Sequence, residues 1–351
     1  MSMMETIGEE TVSLYMNFFA LMLILALVSL SHRLLSRRTP ADKLFLYLCI
    51  AAGIDSICGI IYSAAKAFRA AWSGTAMLLG ITVGRIAVLT LLFLWILYVD
   101  YMLNRSRDHL IRRYPVLIAP IGLITVIFVI NLFTGILFTI DENLKVHLST
   151  LYHILFGINI AYFVISSAVF FKYKKTVGSL SFFSIAPFLI PVVAGAAGEF
   201  LCFYASESAG FAIGLIFMHF SMLACWQFED ADPAFYNPSY LEYVRDCLKN
   251  GSSPVKSAVE FSGTNDEALA SILKMTLPMK HETVHLKENS FLFLSARRND
   301  NYLEGLTSLV SMTAKQYDSE HTDSAIKLEF RYLFPDKDHP ERTDWFKDEV
   351  Q

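Results

Sequence analysis

Three charged side chains, Asp55, Arg85 and Glu199, stand inside stretches that are otherwise apolar. A charge held in hydrocarbon without a partner costs roughly 2.5–3.5 kcal/mol on insertion scales. Two carboxylates and a guanidinium therefore imply a chemistry of pairing, with each other or with something brought from outside. Paired internally, Arg85 and one carboxylate form an ion pair that holds helices in register. Converging at similar depth, all three make a polar pocket for a small ligand. His153, at one end of its apolar stretch, completes the candidate ligand-binding set Asp55, Arg85, His153 and Glu199, and Asn131, Asn159 and His219 add hydrogen-bonding groups deeper in. Both readings stay open at the level of residue type and spacing.

The elements that must position these groups are seven apolar runs, at 12–30, 44–65, 76–103, 116–140, 151–171, 180–204 and 210–228. A hydrocarbon core about 30 Å thick needs about 20 helical residues, so each run is expected to form a transmembrane helix. A hydrophobic content of 54% fits a chain with most of its mass in lipid. Orientation follows Lys and Arg in short loops. Arg33, Arg37, Arg38 and Lys43 follow the first run, Arg105, Arg107, Arg112 and Arg113 the third, and Lys172, Lys174 and Lys175 the fifth, whereas the alternate loops hold Lys66, Arg69 and Lys145. That bias predicts a multi-pass protein of the cell membrane with its N-terminus outside and its C-terminal part in the cytoplasm. The acidic start, Glu5, Glu9 and Glu10, has no basic segment ahead of the first run, which reads as a retained signal anchor.

Within this frame Pro187, Pro191, Gly195 and Gly198 predict a kinked sixth helix. Trp95, Tyr98 and Tyr101 fit an aromatic belt, with Asp100 at the inner interface. The outer loops are too short for a separate ligand-binding domain, so any external signal is expected to be read by the helices. The five cysteines show no disulfide or metal-ligand spacing.

From about residue 230 the chain turns polar and its periodicity changes. Leu241, Val244, Cys247 and Leu248 recur at helical spacing. A strand is expected at 255–261, a helix at 266–275 before Pro278, and a strand at 282–286. A sharp turn at 287–290, a strand at 291–295, a helix at 301–316 and a strand at 326–333 complete the order. Two right-handed crossovers around a hairpin give a four-stranded antiparallel sheet with helices on one face, a small α+β domain of ferredoxin-like or palm type. His281 and His285 share one face of a strand and read as a solvated pair. No basic stripe with interleaved aromatics supports a nucleic-acid partner, and no long helix with a phosphoacceptor His supports a histidine kinase.

This order after a membrane bundle resembles the GGDEF domain of diguanylate cyclases. In the opening motif, Asp232, Asn237, Tyr240 and Leu241 fall in register once two residues are deleted, with Pro238 in place of the usual Arg. At the signature hairpin this chain has Lys287, Glu288, Asn289, Ser290 and Phe291, so only the Phe survives. The resemblance implies that the family's glycines, which admit GTP, are replaced by side chains. Its acidic metal contacts are replaced by neutral ones, leaving Glu260 as the weak candidate for a metal ligand. The inhibitory R-x-x-D sequence is absent ahead of the hairpin. Without paired carboxylates for Mg²⁺, attack on an α-phosphate loses its main electrostatic support, so no catalytic residue and no cofactor is expected. GTP and Mg²⁺ enter only if the domain is active.

The resulting expectation is a bacterial signalling receptor with a transmembrane sensor at 1–229, a degenerate GGDEF-like cytoplasmic domain at 230–335 and a charged tail at 336–351. Its partners would be membrane lipid and a small molecule in the outer half of the bundle. A homodimer follows from the resemblance, because the active family condenses two GTP across two domains. The alternatives are an active divergent diguanylate cyclase and a transporter with a regulatory tail.

Overall fold

A computed structural model describes residues 3–31, 40–104, 107–177, 185–200, 206–228, 230–232, 234–249, 255–277, 283–295, 300–320 and 327–333. The chain divides into two compact units, Met1–Phe171 with Ser184–Ser221, and Lys172–Phe183 with Met222–Gln351.

The first unit is helical, and its helices overlap the apolar runs: α1 (Met3–Ser31), α2 (Pro40–Phe68), α3 (Ser73–Asn104) and α4 (Arg107–Thr134). The fourth run, expected to be helical over 116–140, is corrected: its helix stops at Thr134, Gly135 takes a left-handed conformation at φ 66°, and the last residues of the run enter a strand. A hairpin of β1 (Phe138–Ile140) and β2 (Val146–Leu148) follows, then α5 (Thr150–Val177), α6 (Ala186–Phe200) and α7 (Ser206–Trp226). Among the described residues four segments are long and apolar enough to cross a membrane, Glu10–Leu30, Pro40–Phe68, Ser73–Met102 and Ser206–Ala224. Shorter apolar segments lie at Ile118–Thr134 and Ala186–Gly198. The chain is therefore helix-rich, with four helices fit in length and composition to cross a membrane, and a small antiparallel sheet.

Small side chains let these helices approach closely, the usual basis of helix association in lipid. A Cβ on Gly59 of α2 would land in the amide group of Asn17 on α1. Ser13 and Ser63 hydroxyls meet at 3.0 Å between the same two helices, and Glu10 pairs with Lys66. In α6 and α7, a Cβ on Gly210 would lie 2.6 Å from the Pro191 carbonyl oxygen, and Ser206 Oγ donates to the Gly195 carbonyl at 2.7 Å. Asn131, buried in α4, ties down the hairpin: its Oδ1 accepts from the Leu137 and Phe138 N–H groups at 2.6 and 3.2 Å. At the hairpin turn, Asp141 accepts from the Lys145 and Asn143 backbone N–H groups. The Lys145 bond, reinforced by His147 beside it, holds the Asp141 carboxyl below the usual carboxylate range.

Two expectations change here. Trp95 and Tyr98 are not a belt at the membrane surface: both are buried, and the Trp95 ring stacks on Phe188 with centroids 4.0 Å apart. On a helix apolar all round, residue type alone does not say which aromatic faces lipid and which faces a neighbour. Arg107, Arg112 and Arg113 are not loop residues either, because α4 already begins at Arg107; Arg is a good helix former and is compatible with the first turns.

The second unit contains α8 (Ser239–Lys249), β3 (Ser257–Ser262), α9 (Asp266–Thr276), β4 (Thr283–Lys287), β5 (Ser290–Ser295), α10 (Asp300–Glu320) and β6 (Glu329–Leu333). The sheet order is β4-β5-β3-β6, and every neighbouring pair is antiparallel. Strand alternation sorts the side chains into two cores. Val259, Phe261, Phe291 and Phe293 point to one face and pack with Leu269, Ile272 and Leu273 of α9 and Leu303 and Val310 of α10. Ala258, Val284, Leu292 and Leu294 point to the other and pack with Tyr240, Leu241 and Val244 of α8. The expectation of helices on one face is thus corrected: β5 is buried at every position, with Phe291 and Phe293 on one face and Leu292 and Leu294 on the other, so it needs cover on both sides, and α8 supplies the second. Asn265 caps α9 by accepting from the Ala268 N–H at 3.2 Å, the role its short polar side chain favours.

Candidate functional site

In the helical unit a cavity of about 290 Å³ opens among α1, α2, α3, α5, α7 and the hairpin strand β2. Asp55 and Arg85, two of the expected ligand-binding residues, line it together. Arg85 Nη1 donates to Glu207 Oε2 at 3.2 Å, and Ser208 Oγ donates to Asp55 Oδ2 at 2.9 Å. The Arg85 and Glu207 side chains retain 26% and 17% of their exposure, so this is a half-buried pair, less screened than a surface one. Glu207 lies in the first turn of α7, where the helix dipole favours a carboxylate.

The remaining expected positions are placed differently. His153 is exposed on α5, and its neighbour Tyr152 is the α5 residue that lines the cavity. Glu199 falls in α6, with its side chain outside the described residues. Asn131 works on the hairpin, and His219 is buried with its ring stacked on Phe45. Asn159 lies in α5, its side chain also outside the described residues. Glu207, Ser208, Ser13 and Asn17 were not singled out from sequence. The signals were there: Ser13 and Asn17 are one helical turn apart, and Glu207 and Ser208 precede an apolar run as a helix start does.

In the α+β unit the hairpin between β4 and β5 presents Lys287 and Glu288 to solvent and buries Phe291. Asn289 adopts a left-handed conformation, φ 65°, at the turn. Its N–H donates to Asp266 Oδ1 at 2.9 Å, and its carbonyl accepts from the Gly263 N–H at 3.0 Å. Ser290 Oγ donates to Glu260 Oε1 at 2.8 Å, so two of the signature-related positions satisfy each other across the sheet.

His285, read from sequence as half of a solvated pair, is held between two carboxylates. Its Nδ1 lies 2.6 Å from Asp230 Oδ2, and its Nε2 lies 3.3 Å from Asp266 Oδ1. Its ring stacks on Phe291 with centroids 4.5 Å apart and planes 9° from parallel. His281 lies outside the described residues. Asp232 pairs with Lys274, whose ammonium also sits over the Phe235 ring. The segment after α7 is stitched to β4: Tyr236 N–H donates to the Thr283 carbonyl at 2.9 Å, and His285 N–H to the Tyr236 carbonyl at 2.8 Å. The two sites therefore differ chemically. The helical unit arranges charges around open space, and the hairpin arranges them around one another. No family model, curated protein or solved structure matches the chain.

Proposed function

We propose that the chain is a bacterial seven-helix membrane receptor, N-terminus outside and α+β unit in the cytoplasm, whose output unit is a catalytically inactive relative of the GGDEF domain. The observation that carries this reading is the cavity where Asp55 and Arg85 meet Glu207 and Ser208, of a size at the lower end of small-molecule sites. The Lys and Arg bias toward one set of ends of the apolar runs supports the orientation, and the strand order β4-β5-β3-β6 supports the palm-type reading of the output unit. The hairpin supports its inactivity: its turn N–H is already bonded to Asp266, and Lys287 and Glu288 occupy the positions where the resembling family keeps glycine.

Signal would leave through α7 into the segment 228–237, which is bonded to β4 and, through Asp230, to His285. A shift of that segment changes the hairpin directly, a helix-shift mode of switching. Hydrogen exchange on the full chain in lipid nanodiscs tests it. Ser208→Leu, which pushes a side chain into the cavity, and Asp55→Asn should each change exchange at the Tyr236 and His285 amides. Unchanged exchange there in both variants, with the fold intact, removes the receptor reading. Incubation with GTP and Mg²⁺ tests the output: no cyclic dinucleotide is expected, and its formation would make the protein a cyclase.

A further inference from the structure

On α10 the α+β unit leaves an apolar seam facing outward. Leu303, Leu306, Val310 and Ala314 of this helix enter the core. The opposite face is formed by Gly305, Ser308, Leu309, Met312 and Gln316, all exposed and none charged. Leu309 is 49% and Met312 66% exposed, on a face where a surface helix ordinarily carries polar and charged residues. Gly305, Leu309, Met312 and Gln316 follow at alternating intervals of four and three, the spacing of a seam that packs against another helix. Gly305 is also the one glycine within the described helices of this unit. Glycine weakens a helix interior, and a Cβ at this position would meet nothing within 4 Å. Packing within the described chain gives no reason for it, whereas a side chain arriving from outside does.

Two charges flank the seam and say what arrives. Glu304 and Lys315 are exposed, and eleven residues of helix set them about 20° apart around the axis and about 16 Å apart along it, on one side of the seam. In an antiparallel pair of identical helices the twofold axis brings each flank onto the same flank of the other copy. With the axis beside Leu309, midway between the two charges, each Glu304 meets the Lys315 of the second copy. The same operation sets Met312 of one copy about 3 Å along the helix from Gly305 of the other, where the missing side chain leaves a notch. A parallel pair puts Glu304 and Lys315 opposite the uncharged flank instead. We propose that this face of α10 joins two copies of the chain, helix against helix in antiparallel orientation about Leu309. The interface is read from the α+β unit alone, so it stands or falls apart from the cavity. A single helix pair is small beside the ~1,600 Å² of a standard interface; two chains sharing one membrane gain the effective concentration that a weak contact needs.

The test uses the full chain in phosphatidylcholine vesicles, labelled in two batches with donor and acceptor dyes, and reads energy transfer as lipid is added to dilute the protein. The parent should associate reversibly. Leu309→Glu sets two carboxylates against each other at the axis and should abolish transfer. Gly305→Leu supplies a better helix former but fills the notch, so association should weaken about tenfold while circular dichroism shows the fold retained. Glu304→Lys should weaken association about fivefold or more, because symmetry removes two exposed pairs at once. Adding Lys315→Glu to Glu304→Lys should recover the parent's association, which no general effect of charge or folding does. A parent that stays monomeric at the highest protein-to-lipid ratio overturns the proposal, whether the face then takes lipid, a segment of this chain or another protein. Association that Leu309→Glu leaves unchanged also overturns it and moves the contact elsewhere on the chain. If the double exchange does not recover association, the antiparallel pairing is overturned.

Discussion

The cavity of the helical unit and the hairpin of the α+β unit are built from the same kinds of side chain and put them to opposite ends. Around the cavity, Asp55, Arg85, Glu207 and Ser208 come from three helices far apart in sequence and leave about 290 Å³ between them. At the hairpin, Asp230, Asp266, His285 and Asn289 come together over a few ångströms and close on one another and on the aromatic core. Open polar space inside a membrane protein is expensive unless something fills it, whereas a closed network beside a packed core stabilises a single conformation. The difference leaves the first region with room for a small molecule, as the proposed function requires, and gives the second a closed network.

The largest test of that contrast removes the core under the hairpin. Phe291 is 1% exposed and lies between Phe235, 4.8 Å away by ring centroid, and His285. Phe291→Ala should cost about 3–5 kcal/mol, as Phe truncation in a packed core does. Limited proteolysis of the full chain should then cut the α+β unit while the helical unit stays intact. Loss of both together would show that the two regions do not hold their folds separately. A smaller effect is expected from breaking the pair in the cavity. Glu207→Gln should cost about 2–3 kcal/mol, below the range for a fully buried pair because these side chains keep 17–26% exposure. Adding Arg85→Gln should restore part of that loss, and a thermal-unfolding double-mutant cycle measures the coupling. Additive effects would mean that the wall of the cavity is not held by this pair.

The two regions were also legible to different degrees. In the α+β unit the strands and helices were readable because period-2 alternation and a tight turn are local signals. Predicted bounds such as 266–275 for the helix at Asp266–Thr276 follow from Asn265 and Pro278 at its ends. The placement of α8 was not readable, because which sheet face a helix covers depends on long-range pairing. In the helical unit, Asp55 and Arg85 stood out as charges in apolar runs, and the structure brings them to one wall. Glu207 and Ser208 did not stand out, because the polar stretch before the seventh run reads as loop, whereas α7 begins one turn earlier, at Ser206. His285 was misread for a similar reason: its partners Asp230 and Asp266 lie 55 and 19 positions away in the sequence, out of reach of any periodicity.

The smallest effect concerns the turn itself. Asn289 sits at φ 65°, and both of its peptide groups are used, the N–H by Asp266 and the carbonyl by Gly263. Those bonds belong to the backbone, so glycine preserves them and relieves the left-handed strain. Asn289→Gly should leave the stability of the α+β unit within about 0.5 kcal/mol of its present value. A β-branched residue cannot enter that conformation cheaply, and Asn289→Val should cost about 1–2 kcal/mol, read by urea unfolding of the full chain followed through the α+β unit. The glycine variant is the more instructive, since it relaxes the turn and leaves its surroundings in place: Lys287 and Glu288 remain, and Asp266 still holds the turn. If Asn289→Val is as stable as the parent, the turn rearranges freely. The hairpin is then as adaptable as the cavity, and the distinction between a region that binds and a region that holds its shape collapses.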